Sequence, residues 1–292
     1  MTALDPRALI VVSGLMSLIC TVIILSMRRS FPPSIRGLGQ WGAGCVLKLA
    51  STPFFAARGL VPDLFSITVA QGLMFAGLLL CLSGLMAFLQ RPVPRKAMAL
   101  AWLGVVAFSL IFSLLMPDYG IRQVGLGLAL TPVFGAGAVL LWRYGESSFP
   151  YQLTAYAFAF GCVLVFLRAL LVMLGHGDLF GTSLLQPTPM QNFYLLGFAT
   201  ASLVFTLGFV LMAQDRLVQL LRHEAAHDLL SGALSRHAIL DMLNREVVRA
   251  QRHNRVLTLM LLDLDHFKQI NDRYGHLMGD RVIADFADVV RA

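Results

Sequence analysis

The sequence contains few charged residues and few cysteines. Only 13% of its 292 residues are charged, whereas 57% are hydrophobic, and the mean hydropathy is +0.73. This composition is far more apolar than that of a soluble globular domain, so it indicates a membrane protein. The cysteines lie singly inside apolar segments, which excludes a disulfide framework and a cysteine-based metal site. They are Cys20, Cys45, Cys81 and Cys162.

Acidic residues are scarce in residues 1–213, which hold 12 Lys and Arg against 5 Asp and Glu. Residues 214–292, in contrast, hold 11 of each kind. The net charge of +7 therefore belongs to the apolar part of the chain. There, basic residues set the topology and contact lipid headgroups, and they do not indicate nucleic-acid binding.

Seven apolar segments, each bounded by charges, Pro or Gly, predict transmembrane helices. The first has no charge and is followed by no cleavage pattern, which favours a membrane anchor over a signal peptide. The second is the weakest because it contains Gln40, Lys48 and Pro53, and without it the count falls to six. The segments are Ala8–Met27, Leu38–Ala57, Leu64–Leu89, Ala97–Met116, Val124–Leu141, Gln152–Leu174 and Phe193–Ala213.

The distribution of basic residues favours seven spans with the N-terminus outside. In that topology the inner loops carry seven basic residues and the outer segments carry three. The positive-inside rule then places everything after Ala213 in the cytoplasm. The inner residues are Arg28, Arg29, Arg36, Arg91, Arg95, Lys96 and Arg143, and the outer ones are Arg7, Arg58 and Arg122.

Two basic residues lie within predicted spans, Lys48 and Arg168. Ionisable residues inside a membrane are costly and suggest function, and here no acidic residue lies within a span to pair with them. An anionic ligand or a lipid headgroup is one hypothesis for their partner. The alternative is that the side chains extend to the membrane interface, which suits Arg168 better than the more central Lys48.

Residues 214–227 predict a connector helix that continues the last span, with leucines at three- and four-residue spacing and no Gly or Pro. A parallel coiled coil between two subunits and a simple amphipathic connector are both open. This segment also contains His223-Glu-Ala-Ala-His227, the H-E-x-x-H pattern of zinc proteases, for which Glu246 could be a third ligand. A membrane metalloprotease is therefore a remote alternative.

The polar remainder, residues 228–292, alternates between helical and apolar extended patterns. Ser235 is a suitable N-cap for the first helix, and Gly275 ends the second. A continuous apolar run between these helices predicts a strand that is buried on both faces in an α/β sheet. The elements are a helix at Arg236–His253, a strand at Val256–Leu262 and helices at Phe267–Tyr274 and Arg281–Arg291.

Two motifs here resemble those of the diguanylate cyclase, or GGDEF, family. Asp228-Leu-Leu-Ser-Gly-Ala-Leu-Ser-Arg236 is similar to D-x-L-T-G-L-x-N-R, with Ser231, Ala233 and Ser235 as departures. Asp263-Leu-Asp-His-Phe-Lys-Gln-Ile-Asn-Asp-Arg-Tyr-Gly-His-Leu-Met-Gly-Asp280 resembles D-x-D-x-F-K-x-x-N-D-x-x-G-H-x-x-G-D. The second match is highly specific, because many fixed positions occur in order. The resemblance covers about residues 228–292.

The resemblance implies a palm-like α/β fold of the nucleotide-cyclase type. It also implies that two GTP-loaded domains meet in a homodimer to make cyclic di-GMP. Asp263 and the backbone carbonyl of Leu264 would hold Mg²⁺ or Mn²⁺, as hard oxygen ligands suit a hard cation. Lys268 would contact the triphosphate, with the amides near His266 and Phe267 around it.

For the base, the resemblance implies that Asn271 and Asp280 bind the guanine edge and that His276 lies close to the nucleotide. The alternative is a structural strand, loop and helix with solvated charges. The implied location is a bacterial-type inner membrane, with the connector helix and the cyclase domain forming the homodimer. The partners are GTP and the lipid bilayer, without nucleic acid.

The family's G-G-D/E-E-F hairpin, with the catalytic glutamate, is expected beyond Ala292. We therefore expect no catalytic residue within the printed sequence, and this chain, as given, is expected to be inactive. Two functions remain open for the intact protein. One is a membrane-bound diguanylate cyclase, and the other is a non-catalytic membrane sensor whose degenerate GGDEF part binds GTP or a partner.

Overall fold

A computed structural model describes residues 5–224, 228 and 230–291 of the chain. The chain forms two compact units, Met1–Asp215 and Arg216–Ala292. Each unit is described below by itself.

The first unit is helical, and helices cover all the predicted apolar segments. Two π-helical segments, Leu64–Val69 and Ile111–Leu115, were not anticipated. A short 3₁₀ helix spans Gly177–Phe180. The α-helices are α1 (Pro6–Ser30), α2 (Leu38–Ala56), α3 (Ala70–Phe88), α4 (Arg95–Leu110), α5 (Tyr119–Tyr144), α6 (Phe149–Met173) and α7 (Pro189–Glu224).

Six helical segments of the described chain are long and apolar enough to cross a membrane, which supports a membrane protein. Among the α-helices that cover the predicted spans, α2 is the one outside this set, and its 19 residues include Gln40, Lys48 and Pro53. It nevertheless packs against both α1 and α3, with Trp41 and Cys45 fully buried. Length and burial suit a span, whereas hydropathy does not, so the count of seven stays a prediction.

Glycines allow α2 and α3 to pack with their backbones in contact. A Cβ atom on Gly44 would lie 2.5 Å from the carbonyl oxygen of Gly77, and one on Gly77 would lie 2.7 Å from that of Gly44. Small residues allow this close approach in membrane helix pairs, where van der Waals packing is a main source of stability. The seam thereby holds α2 against α3.

An aromatic cluster joins α2, α5, α6 and α7. The Trp41 ring stacks on Phe209, with centroids 3.9 Å apart and an interplanar angle of 5°. Phe205 stacks on Phe158 at 4.9 Å and meets Trp41 edge to face at 5.8 Å. Phe134 on α5 contacts the same group, 6.1 Å from Phe158. These rings form the core of the first unit.

The second unit contains the end of α7 and helices α8 (Arg236–His253), α9 (Phe267–Tyr274) and α10 (His276–Arg291). The predicted bounds of α8 and α9 are confirmed. The Ser235 side chain accepts a hydrogen bond from the Ala238 amide at 3.4 Å, and Gly275 ends α9 with φ +81°. The predicted start of α10 at Arg281 was wrong, because the buried Gly279 is accommodated inside the helix.

The predicted strand Val256–Leu262 is not formed in the described residues, where this run is neither helix nor strand. Its side chains are exposed, with Val256 94% and Leu261 95% accessible. The physical reason is that a strand needs a neighbour for its amides and carbonyls, and the described residues of this unit offer none. The α/β sheet is therefore absent from the described part of this unit.

Candidate functional site

The polar motif begins directly after the apolar run Val256–Leu262. Asp263 is exposed there, and Leu264 is half-buried. The carbonyl of Leu264 accepts the Phe267 amide at 3.4 Å, and His266 adopts a left-handed conformation with φ +62°. This turn places the two predicted metal ligands, the Asp263 carboxylate and the Leu264 carbonyl oxygen, immediately before the start of α9.

Three of the predicted site residues lie on α9. Phe267 and Asn271 are half-buried and are four positions apart, so they lie on one face of the helix. Lys268 is exposed, and no hydrogen bond or ion pair is formed by its side chain in the described structure. An exposed ammonium group at the start of a helix is available to an anionic ligand.

Asn271 is also placed against α10 by a glycine. A Cβ atom on Gly279 would lie 2.9 Å from Asn271 Cγ, so only glycine leaves room for this side chain. The Gly275 amide donates to the Asn271 carbonyl at 2.9 Å and turns the chain between the helices. The structure thus brings Asn271 beside the residue that precedes Asp280, whereas His276 and Asp280 are exposed on α10.

The first motif forms a tight turn around a carboxylate. Asp228 Oδ1 accepts hydrogen bonds from the Ser231 amide and hydroxyl, both at 2.8 Å, and from the Leu230 amide at 3.2 Å. These donors, those of Ser231 foremost, lower the pKa of Asp228 below its ordinary value. Gly232 completes the turn with φ +63°. The serine that departs from the family's threonine keeps the hydroxyl that the turn uses.

A positioning residue that the sequence did not suggest is Arg291, the last residue of α10. Its guanidinium donates to the Ser231 carbonyl and lies 3.3 Å from the Asp288 carboxylate. Arg291 therefore ties the turn at Asp228 to α10. No sequence signal marked it, because it lies outside both motifs.

The donor set at Asp263 and Leu264 has the chemistry for Mg²⁺. Mg²⁺ prefers oxygen ligands, keeps several waters and commonly binds one or two carboxylates together with substrate phosphates. Within the described residues, no group of three or more His, Cys, Asp or Glu side chains could hold a metal by itself. The H-E-x-x-H pattern falls on His227 and its neighbours, outside the residues and side chains described.

Comparison with known proteins identifies the class of this segment. Residues 225–292 match the family model described as diguanylate cyclase, GGDEF domain. The C-terminal segment is therefore GGDEF-domain sequence.

The most similar relatives include diguanylate cyclase DgcS of Shewanella oneidensis, 42% identical over 24% of this chain and 23% of the relative. Diguanylate cyclase DgcP of Pseudomonas aeruginosa is 44% identical over 24% of this chain and 10% of the relative. Probable diguanylate cyclase DgcF of Escherichia coli K12 is 32% identical over 43% of this chain and 40% of the relative. The chain thus spans less than half the length of these relatives. No solved structure matches it.

Proposed function

We propose that this chain belongs to a membrane-bound diguanylate cyclase that condenses two GTP molecules to cyclic di-GMP. One observation carries the proposal, the order and spacing of the polar residues from Asp263 to Asp280 within the segment that matches the GGDEF model. The names of the relatives DgcS and DgcP support the same reaction.

In this proposal the residues at the start of α9 hold the triphosphate. Asp263 and the Leu264 carbonyl hold the Mg²⁺ or Mn²⁺ ion, which, when bound, neutralises phosphate charge. Lys268 contacts the phosphates as a point charge. The backbone N–H of Phe267 lies at the N-terminus of α9, where the positive end of the helix dipole favours a negative group.

Asn271 and Asp280 bind the guanine base. A carboxylate accepts hydrogen bonds from two donors on the guanine edge, and an amide complements the remaining edge. The packing of Asn271 against Gly279 orients that amide before the base arrives. His276, the first residue of α10, lies near the nucleotide.

The finer architecture is also proposed. Seven helices, α2 among them, cross the bacterial inner membrane with the N-terminus outside, and the GGDEF segment lies in the cytoplasm. The connector at the end of α7 and the cyclase domain form a homodimer. The domain adopts a palm-like α/β fold in which Val256–Leu262 pairs with a further strand, which covers its exposed apolar side chains.

The test is nucleotide binding by the purified chain in detergent, with a fluorescent GTP analogue, Mg²⁺ and ATP as competitor. Asp280→Ala should weaken GTP binding at least ~10-fold, because a hydrogen-bonded charged acceptor is lost. Asp285→Ala is the matched control, an exposed carboxylate on the same helix, and should bind as the unchanged chain does. Equal competition by ATP and GTP would contradict the assigned base contacts.

A non-catalytic GTP-binding sensor is the second candidate. It is favoured by Ala233 and Ser235, which depart from the family's first motif. Cyclic di-GMP production by the intact protein distinguishes the two, since the sensor binds GTP without turning it over.

A further inference from the structure

The first unit contains a cavity of about 120 Å³, with a mainly apolar wall that includes three basic residues, and the proposed cyclase activity does not use it. It lies among α1, α2, α3, α5, α6 and α7, at the end of the unit where α1, α3, α5 and α7 begin. Lys48, Arg58 and Arg168 line it, and no Asp or Glu is among the described residues of its wall. The predicted topology places this end outside the cytoplasm.

Lys48 is buried in the wall, and no acidic side chain among the described residues pairs with it. Only 7% of it is exposed, and its ammonium donates one hydrogen bond, to Ser202 Oγ at 2.8 Å. The ammonium also lies 4.7 Å from the centroid of the Phe205 ring. Of its three N–H donors, two have no hydrogen-bond acceptor within the described structure.

Arg168 is 4% exposed, and its partners among the described residues are all neutral. Its guanidinium donates to Gln191 Oε1 at 3.0 Å and Tyr119 Oη at 3.3 Å, and it lies 3.9 Å from the Tyr194 ring centroid. Its Nε atom is buried and has no hydrogen-bond partner among the described residues. Because buried polar groups are normally hydrogen-bonded, this N–H group is a candidate to donate to a bound acceptor.

Arg58, just after the end of α2, adds a third positive charge to the cavity wall. Burial lowers the pKa of its guanidinium, and the nearby charge of Arg122 lowers it further, whereas Tyr119 and Asp63 raise it. Like charges and burial both disfavour this arrangement, and an anion would relieve both.

We propose that this cavity binds a small organic anion, whose charged oxygen group lies between Lys48 and Arg168 and whose apolar part contacts the hydrophobic wall. Leu126, Phe198 and Met16 belong to that wall. An apolar cavity of roughly 150 Å³ holds benzene, so the volume suits a short carboxylate or the end of a lipid. The shared chemistry is an anionic oxygen group on an apolar body.

Such a ligand acts directly on α7. Lys48 contacts Ser202 and Phe205, and Arg168 contacts Gln191 and Tyr194, all four of which lie on that helix. An anion that accepts hydrogen bonds from the free donors of Lys48 lies beside the contacts that this side chain makes with Ser202 and Phe205. Because α7 continues without interruption to Glu224, occupancy of the cavity changes the contacts of the helix that leads to the connector.

The experiment uses the purified chain in nanodiscs of zwitterionic lipid and measures its unfolding temperature with added benzoate or hexanoate. The neutral partners benzyl alcohol and hexanol test whether charge is needed. We expect a saturable rise with the carboxylates and none with the alcohols, since only an anion that binds the folded state supplies a negative charge to the buried cations. An equal response to acids and alcohols would overturn the proposal.

Variants then locate the site. Lys48→Met should weaken carboxylate binding at least ~10-fold, because a hydrogen bond to a charged group is lost, and Lys48→Arg should retain it. Lys96→Met is the matched control, an exposed lysine at the start of α4, and should leave binding unchanged. If Lys48→Met does not fold, Arg168→Gln and the comparison of acid with alcohol on the unchanged chain decide the question.

Nanodiscs of phosphatidylglycerol separate the two sources of the anion. If a lipid headgroup occupies the cavity, this lipid raises the unfolding temperature through Lys48, and added benzoate has no further effect. If the ligand is a free carboxylate, benzoate acts equally in both lipids. The absence of any Lys48-dependent response to either anion would refute the site, whatever the nucleotide measurements show.

Discussion

The glycine seam between α2 and α3 gives a quantitative prediction for Gly44→Ala. The added Cβ would lie 2.5 Å from the Gly77 carbonyl oxygen, 2.7 Å from Cys81 Sγ and 3.0 Å from the Cys81 amide nitrogen. Two of these three atoms belong to the backbone, so no side-chain rotation removes the conflict. Overpacking of this kind costs about 1–3 kcal/mol, against a gain of roughly 0.5–1 kcal/mol from replacing a helical glycine.

Denaturant or thermal unfolding in detergent measures the change. We expect a net loss of up to about 2.5 kcal/mol for Gly44→Ala, the difference between those two effects. Gly104→Ala on α4 is the matched control, because a Cβ there meets no atom within 4 Å. It should be neutral or slightly stabilising. If the two variants unfold alike, the close approach of α2 and α3 is wrong.

Two further predictions concern a turn and the aromatic core. Ser231→Ala should raise the pKa of Asp228, and an NMR titration of the carboxyl group measures this change. The pKa of Asp228 is lower in the folded state than in the unfolded state. The stabilisation by this carboxylate is therefore present above the unfolded-state pKa and is lost as the pH falls through the folded-state pKa. The variant should lose part of this pH dependence of stability. An unchanged pKa would argue against the turn. Trp41→Ala should lower the free energy of unfolding by about 3–5 kcal/mol, whereas Trp142→Ala, 58% exposed, should have little effect in the same unfolding assay. Equal losses would argue against the stacked core.

Local signals explain why most helices could be predicted from the sequence. A hydrophobic run is visible without knowledge of its neighbours, so all the apolar segments coincide with helices. The bounds of α8 and α9 were predicted because Ser235 and Gly275 act within a single turn of the chain. The order of the motif residues likewise required no structure.

Other features depended on contacts that local patterns do not contain. The start of α10 was missed because Gly279 is explained only by the side chain of Asn271 beside it. The run Val256–Leu262 has the composition of a buried strand, but pairing requires a second strand, and none is present in the described residues. Arg291 positions the turn at Asp228 because it donates a hydrogen bond to the Ser231 carbonyl, which is far from it in the sequence.

The sequence by itself determined that residues 1–213 are membrane-like, where the helices lie, and that residues from Asp228 onward carry GGDEF motifs. It also marked Lys48 and Arg168 as unusual, because charges inside apolar runs are visible one residue at a time. Only the tertiary structure decided that both line one cavity, whose described wall has no acidic residue, and that both contact α7. The physical reason is that such proximity depends on how helices pack, which no periodicity within a single helix specifies.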